Sequence, residues 1–281
     1  TTISAGTLTV SGSGSLNSGN YAGAIANSGT LNYASSTSQT LSGVISGTGS
    51  LTKSGSSTLT LSGNNTYSGD TTISAGTINV SGKIGNGSYS GAIANSGTFV
   101  MSSSTAHTLS GAISGSGGIT KSGSGNLTLS GSNNFTGTIT LSNGTLIGAS
   151  DNALGSAPTI AASNSPTFQT SSSSITLPSL TVTGEINLTS NIITTGAQSY
   201  SAATTIGASS GSAITVRTTN SNITFSDDVK LYQNTTINSG SGGGTITFGG
   251  DMYTHNSASA ERNLIVNAGT GDVTFSGSIT G

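Results

Sequence analysis

The chain has 281 residues, 43 of them glycine, with 5% charged residues, a formal net charge of −2 and no cysteine or tryptophan. The missing thiols exclude a disulfide scaffold and a thiolate-bound zinc or iron–sulfur centre, and the scarcity of strong helix formers excludes a long helical protein. Six Lys and Arg in all cannot supply the clustered cations that nucleic-acid binding requires.

The apolar residues recur in short alternating runs. In chain order these are 7–10 (TLTV), 58–61 (TLTL), 77–80 (TINV), 126–129 (NLTL), 138–141 (TITL), 214–216 (ITV), 245–248 (TITF) and 273–275 (VTF). Alternation with Thr or Asn puts one set of side chains on one face of a strand. Ser-Gly, Asn-Gly and Gly-Thr pairs bound the runs and mark turns. Leu, Ile, Val and Phe make up only about a fifth of the chain, near the boundary with disorder. Disorder usually carries high net charge as well, and its apolar residues are not ordered in this way. The pattern predicts an all-β chain of short strands.

Internal repeats decide the architecture. The segment 21–63 returns as 89–131, so that Tyr89 takes the place of Tyr21, an offset of 68. The opening TTISAGTLTVSG of 1–12 recurs at 71–82, an offset of 70. The two extra positions fall in the turn SGSLNSGNY, shortened to KIGNGSY in the second copy. An insertion absorbed at a turn with strand register kept is what a solenoid tolerates. At about 20 residues per coil each repeat holds three or more coils, and the chain about 14, stacked at about 4.8 Å. The reading is a parallel β-helix (β-solenoid). Its narrow interior is expected to hold Val, Ile and Leu with Ala and Ser, with Gly and Asn at corners in left-handed backbone conformations. A barrel or sandwich does not predict such repeats.

Residues 59–82 (LTLSGNNTYSGDTTISAGTINVSG), their degenerate copy at 127–148 and the partial copy at the start resemble the autotransporter-associated β-strand repeat. Residues 192–208 and 264–279 resemble, more loosely, the repeats of haemagglutinin-type adhesins. Both resemblances imply a right-handed parallel β-helix from the passenger region of a secreted bacterial surface protein. Neither implies catalytic residues.

Composition changes near 148–151. Residues 1–148 carry Asp70 against Lys53, Lys83 and Lys121, a formal +2, and 149–281 carry seven acids against Arg217, Lys230 and Arg262, a formal −4. Pro158, Pro166 and Pro178 follow the seam. Domains are therefore expected at 1–148 and 149–281, joined by an irregular coil or by a hinge.

Little chemistry is on offer. The densest polar stretch, Asp251 to Arg262, reads as a loop that binds sugar or metal through Asp251, His255 and Glu261, or as a solvated insertion. Asp227, Asp228 and Lys230 read as turn residues, with calcium binding the remote alternative. His107 occupies the repeat position of Gln39, which marks it as structural. Tyr67 and Phe135 share a repeat position and are expected to pack against a turn. The Asn-x-Ser/Thr triplets at Asn64, Asn126, Asn143 and Asn222 are expected by chance in so Asn- and Thr-rich a chain. The pairs Thr7/Thr9, Thr58/Thr60, Thr138/Thr140 and Thr245/Thr247 are of the kind ice-binding solenoids display, but they lie many coils apart.

The expectation is a non-enzymatic structural or adhesive segment of a longer secreted chain, extracellular, with no catalytic site, cofactor or metal. Its binding residues are open. No apolar stretch spans a membrane and nucleic acid is not a partner. Partners would be a second copy, met through coil ends or lateral faces, or a host-cell, matrix or glycan surface. The alternatives are a subunit of an extracellular filament or sheath and, more remotely, a carbohydrate-active β-helix enzyme. So few charges predict stability nearly flat between about pH 4 and 9.

Overall fold

The structure, a computed structural model, describes residues 1–156, 158–172, 175–208, 211–254 and 262–280. Every strand pairing in it is parallel, and the chain winds as a β-solenoid of about 12 turns of about 21 residues, fewer than the 14 expected because some coils are long. The chain divides into two compact units, Thr1–Thr140 and Leu141–Gly281. Each predicted run is a strand: Thr7–Val10, Thr58–Leu61, Thr77–Val80, Leu127–Leu129, Ile139–Leu141, Ile214–Thr218, Ile246–Phe248 and Val273–Phe275.

In the first unit each coil has three faces. The second face stacks Thr7–Val10, Thr30–Tyr33, Ser50–Lys53, Thr71–Ile73, Ile93–Asn95 and Ile113–Ser114, and the third stacks Asn20–Tyr21, Gln39–Leu41, Thr58–Leu61, Thr77–Val80, Thr98–Met101 and Gly118–Lys121. The first face begins as Thr2–Ile3, Ile25–Asn27 and Ile45–Ser46. It passes through Asn65 and Tyr67, whose backbone N–H bonds to Ile45 O, and resumes as Ser88–Tyr89, His107–Leu109 and Leu127–Leu129. The register advances by 19 residues from Leu59 to Ile78, 23 from Leu8 to Leu31 and 24 from Thr2 to Ala26.

The 68-residue repeat is therefore not a whole number of coils. Ile25–Asn27 on the first face returns as Ile93–Asn95 on the second, Ser50–Lys53 on the second as Gly118–Lys121 on the third, and Gln39–Leu41 on the third as His107–Leu109 on the first. One repeat makes three and one third turns. The three faces and corners are near-equivalent, so the same sequence fits each of them.

The corners explain the glycine content. Gly29, Gly49, Gly69, Gly91, Gly111 and Gly131 stack in one column, and a Cβ built on Gly49 would lie 2.4 Å from Gly29 O, one on Gly111 2.1 Å from Gly91 O. A second column runs Gly23, Gly43, Gly63, Gly82, and none of these four has a positive φ. The expected left-handed corners occur at Gly6, Gly76, Asn17 and Asn86 among others. Most column glycines instead serve close approach: at one coil spacing there is no room for a β-carbon over a carbonyl. Gly43→Ala, whose Cβ would meet Gly23 O at 2.3 Å and Ala22 O at 2.6 Å, is expected to lower stability by about 1–3 kcal/mol, read as a shift of the urea midpoint.

The interior is richer than aliphatic. Tyr33, Tyr67, Tyr89, Phe99 and Phe135 are buried in the first unit, as are Lys53 and Lys121. The two lysines are repeat equivalents, and each Nζ donates to the corner carbonyl two residues on, Gly55 O or Gly123 O. Lys53 Nζ also lies 5.7 Å from the Tyr33 ring centroid. Corner carbonyls turned inward need a donor. The last inward side chain of the strand supplies it, as Thr170 Oγ1 does for Ser172 O at 3.1 Å in the second unit.

In the second unit the coils are less uniform. The register steps only from Ile186 to Thr204 at one place and as far as from Thr235 to Leu264 at another. One face stacks Thr145–Gly148, Thr167–Thr170, Ile186–Leu188, Thr204–Ile206, Val229–Leu231, Met252–Thr254 and Ile279–Thr280, and a second ends in Gln198–Tyr200, Ile223–Phe225, Ile246–Phe248 and Val273–Phe275. The inward rings of that second face form a ladder. Tyr200, Phe225, Phe248 and Phe275 stack with centroids 4.8, 5.5 and 4.5 Å apart and planes within 8°. Tyr200 OH donates to Gln198 Oε1 (2.7 Å), and Gln198 Nε2 to Arg217 O (2.7 Å).

Candidate functional site

The acids first. Asp228 Oδ1 accepts the backbone N–H of Asp251 at 2.8 Å, and Asp251 Oδ1 accepts both N–H (2.8 Å) and Oγ–H (3.0 Å) of Ser278. Asp70 does the same for Ala92 N–H and Asp151 for Thr176 N–H, both at 2.8 Å. Asn191 and Asn222 fill the role for Thr215 and Thr245. These carboxylates thus behave as Asn does, capping a backbone N–H one coil further on. Sequence inspection missed the role because the acceptor and its donor lie 22–27 residues apart, a spacing that only the coil length explains.

Asp228, Asp251 and Tyr253 meet at one corner. Tyr253 OH donates to Asp228 Oδ2 at 3.0 Å and, more weakly, to Asp251 Oδ2 at 3.4 Å. Donation to Asp228 holds the phenol neutral and pushes it up to about 12, while the Ser278 N–H and O–H hold the Asp251 carboxyl below its usual range. Asp227 Oδ1 accepts the N–H of Asp228 at 2.8 Å, a turn contact. His255 and Glu261, the partners expected for Asp251, lie outside the described residues. Among the described residues no group of three or more His, Cys, Asp or Glu could hold a metal ion, and no helix is long and apolar enough to cross a membrane.

His107 is buried on the first face, with Nδ1 3.0 Å from Thr105 O and Nε2 without a hydrogen-bond partner. Its repeat equivalent Gln39 accepts from Leu16 N–H (2.7 Å) and donates to Thr40 O (2.8 Å); the imidazole reproduces neither bond. Burial pulls the imidazole below 6.5, aided by the positive charges of Lys83 and Lys121 and opposed by the bond to Thr105 O. A base with a depressed folded pKa binds fewer protons folded than unfolded, so stability falls as pH drops through 6.5 and is unaffected above about 7.5. The flat stretch expected from composition therefore ends on its acid side at this residue. His107→Gln is expected to raise stability by about 1 kcal/mol at pH 7 and to remove the slope between pH 7 and 5, as thermal melts in that range would register.

Tyr67 and Phe135 are wholly inside, deeper than a turn contact. Tyr67 OH bonds Thr71 Oγ1 at 3.0 Å, which bonds Tyr89 OH at 2.7 Å, and the Tyr67 and Tyr89 rings meet edge to face at 5.4 Å. The Thr-x-Thr pairs prove less isolated than their sequence spacing suggests. On the third face Thr58, Thr77, Thr98 and Gly118 stack in one outward column and Thr60, Asn79, Val100 and Thr120 in the next. Asn79, Val100 and Gly118 still break the array.

A groove of about 470 Å³ lies on the second unit, along the face that holds Thr204–Ile206. Thr167, Asn187, Thr205 and Lys230 form one outward column in register across four coils, and Tyr253 continues it. Gly207, Ala208 and Tyr232 flank it. Lys230 Nζ lies 5.3 Å from the Tyr232 ring centroid. The hollow has a cause in coil length: the coil from Ile186 to Thr204 is short, and the next, from Thr204 to Val229, is long. On the coil that begins at Thr204, the small Thr205, Gly207 and Ala208 are walled by the larger Lys230 and Tyr232 of the next.

The class of molecule these features define is an all-parallel β-solenoid built from sequence repeats. Residues 51–80 and 119–147 match the family model of the passenger-associated-transport-repeat. Each matched segment runs through one turn and a third, from Ser50–Lys53 to Thr77–Val80 and from Gly118–Lys121 to Thr145–Gly148. No curated protein and no solved structure matches the chain.

Proposed function

We propose that the chain is a structural segment of the passenger region of a secreted bacterial surface protein, acting outside the cell as a stiff stalk or contact surface and not as an enzyme. The observation that carries this reading is the two passenger-repeat segments, each folded into stacked parallel coils. Outward positions filled by Thr, Ser and Asn suit a surface that must stay soluble with few charges. Coils that contact only their neighbours suit a chain that folds progressively as it emerges. Fusing the chain between a secretion signal and a translocating β-barrel in a laboratory bacterium tests it. The expected result is protein at the cell surface, removed by added protease from intact cells; retention inside the cell would overturn the reading.

A second reading is self-association into a filament or sheath. Electron microscopy of the purified chain separates the two: periodic fibres favour the filament, and isolated short rods favour the stalk.

A further inference from the structure

The groove along the Thr204–Ile206 face has no part in the stalk reading. We propose that it is a binding site for a linear acidic polysaccharide, one bearing carboxylates as uronates do.

Shape comes first. The column Thr167, Asn187, Thr205, Lys230 runs across four coils, about 14 Å at one strand spacing per coil, so the hollow is elongated and suits a chain over a compact ligand. A volume of about 470 Å³ is in the range of ligand clefts. The lining combines threonine hydroxyls and a carboxamide, which donate and accept, with a half-buried aromatic ring at the rim. A sugar presents the same two characters, hydroxyl edges and an apolar C–H face, and the amphipathic Tyr ring suits the second.

Charge then selects within that class. Lys230 is exposed and is the one charged residue among those lining the groove. Its ammonium, held over the Tyr232 ring, stands where a carboxylate on the ligand would meet both a cation and a phenol. On the far side of Lys230 a smaller hollow of about 180 Å³ is bounded by Asp228 and Tyr253. There the Asp228 and Asp251 carboxylates receive Tyr253 OH, so the acidic end is internally engaged and an anionic chain is directed along the Thr167 side. A peptide partner fits less well. A peptide added as a strand needs an open edge, whereas Thr204–Ile206 is paired on both sides.

Affinity electrophoresis of the whole chain through gels containing polygalacturonate, alginate or neutral hydroxyethylcellulose tests this, and does so without any assumption about surface display. The expected result is retardation by at least one acidic polymer and little by the neutral one. Lys230→Gln and Tyr232→Ala should each weaken it tenfold or more, while Lys83→Gln in the other unit leaves it unchanged. Thr205→Trp, which fills the hollow from a solvent-facing position, should abolish it, and circular dichroism checks that each variant keeps its strands. No retardation by either acidic polymer, equal retardation by the neutral polymer, or full retardation of all three groove variants would each overturn the proposal.

Discussion

Phe225→Ala is expected to cost about 3–5 kcal/mol, the largest effect of any conservative truncation in the second unit. Phe225 is buried and stacks on both Tyr200 and Phe248, 4.8 and 5.5 Å away. Removing the ring loses two aromatic contacts of about 0.5–1.5 kcal/mol each beyond the burial itself. It also opens a hole that a stack cannot close, because one strand spacing fixes the coils above and below. Phe275 has one stacking neighbour and stands 39% exposed, so Phe275→Ala should cost less than half as much. Urea titrations of both variants against the parent decide it; equal losses, or a loss under about 1 kcal/mol for Phe225→Ala, would mean that the ladder does not hold the coils together. Because each coil touches only its neighbours, proteolysis of Phe225→Ala should begin near residues 200–248 and spare Thr1–Thr140.

The contrast between the two ends of that ladder shows what sequence could and could not reveal. The runs ending in Phe248 and Phe275 announce strands by alternation alone, and the repeats announce a solenoid. Nothing in the spacing of Tyr200, Phe225 and Phe248 says that they stack, since the unequal intervals between these register partners depend on how far each corner loop protrudes. The same holds for the groove. Thr167, Asn187, Thr205 and Lys230 are ordinary polar residues until a short coil followed by a long one brings them into one column. The buried Lys53 and Lys121 were concealed for a different reason. A charged residue in a repeat reads as surface unless its position in the strand is known to face inward, and the inward role here is to donate to a corner carbonyl. For the lysines that role carries a pH signature. Burial pulls both below 10.5, so stability should rise with pH on the alkaline side, until the buried tyrosines reverse it. Tyr67 is pushed up to about 12, and Tyr89 and Tyr200 are also raised, so above pH 10 the unfolded chain sheds phenolic protons that the fold retains.

Deleting residues 24–91, one whole repeat, should leave a folded solenoid in which every later strand of the first unit has moved to the preceding face. The deletion joins Gly23 to Ala92, and the sequence across the junction, Gly-Ala-Ile-Ala-Asn, is the same as before. The strand Ile93–Asn95 would then occupy the first face in place of Ile25–Asn27, and Gly118–Lys121 the second face in place of Ser50–Lys53. The inward residues exchanged are alike: Ile for Ile, Phe99 for Leu31, Ile119 for Leu51, Lys121 for Lys53. Corner glycines are exchanged one for one as well, Gly97 taking the place of Gly29. The chain lacks cysteine, so spin labels at Thr9→Cys and Thr120→Cys report the change cleanly. In the parent these positions lie on different faces five coils apart, about 24 Å along the stack. In the deletion variant both lie in one outward column two coils apart, about 10 Å. A label distance that stays beyond about 20 Å, twice the two-coil spacing, or a variant that loses its strands, would show that the faces are not interchangeable. The shortened distance would show that adding or losing one repeat turns the coils after it by a third of a revolution, so that a surface feature they carry can be re-aimed without altering a residue of it.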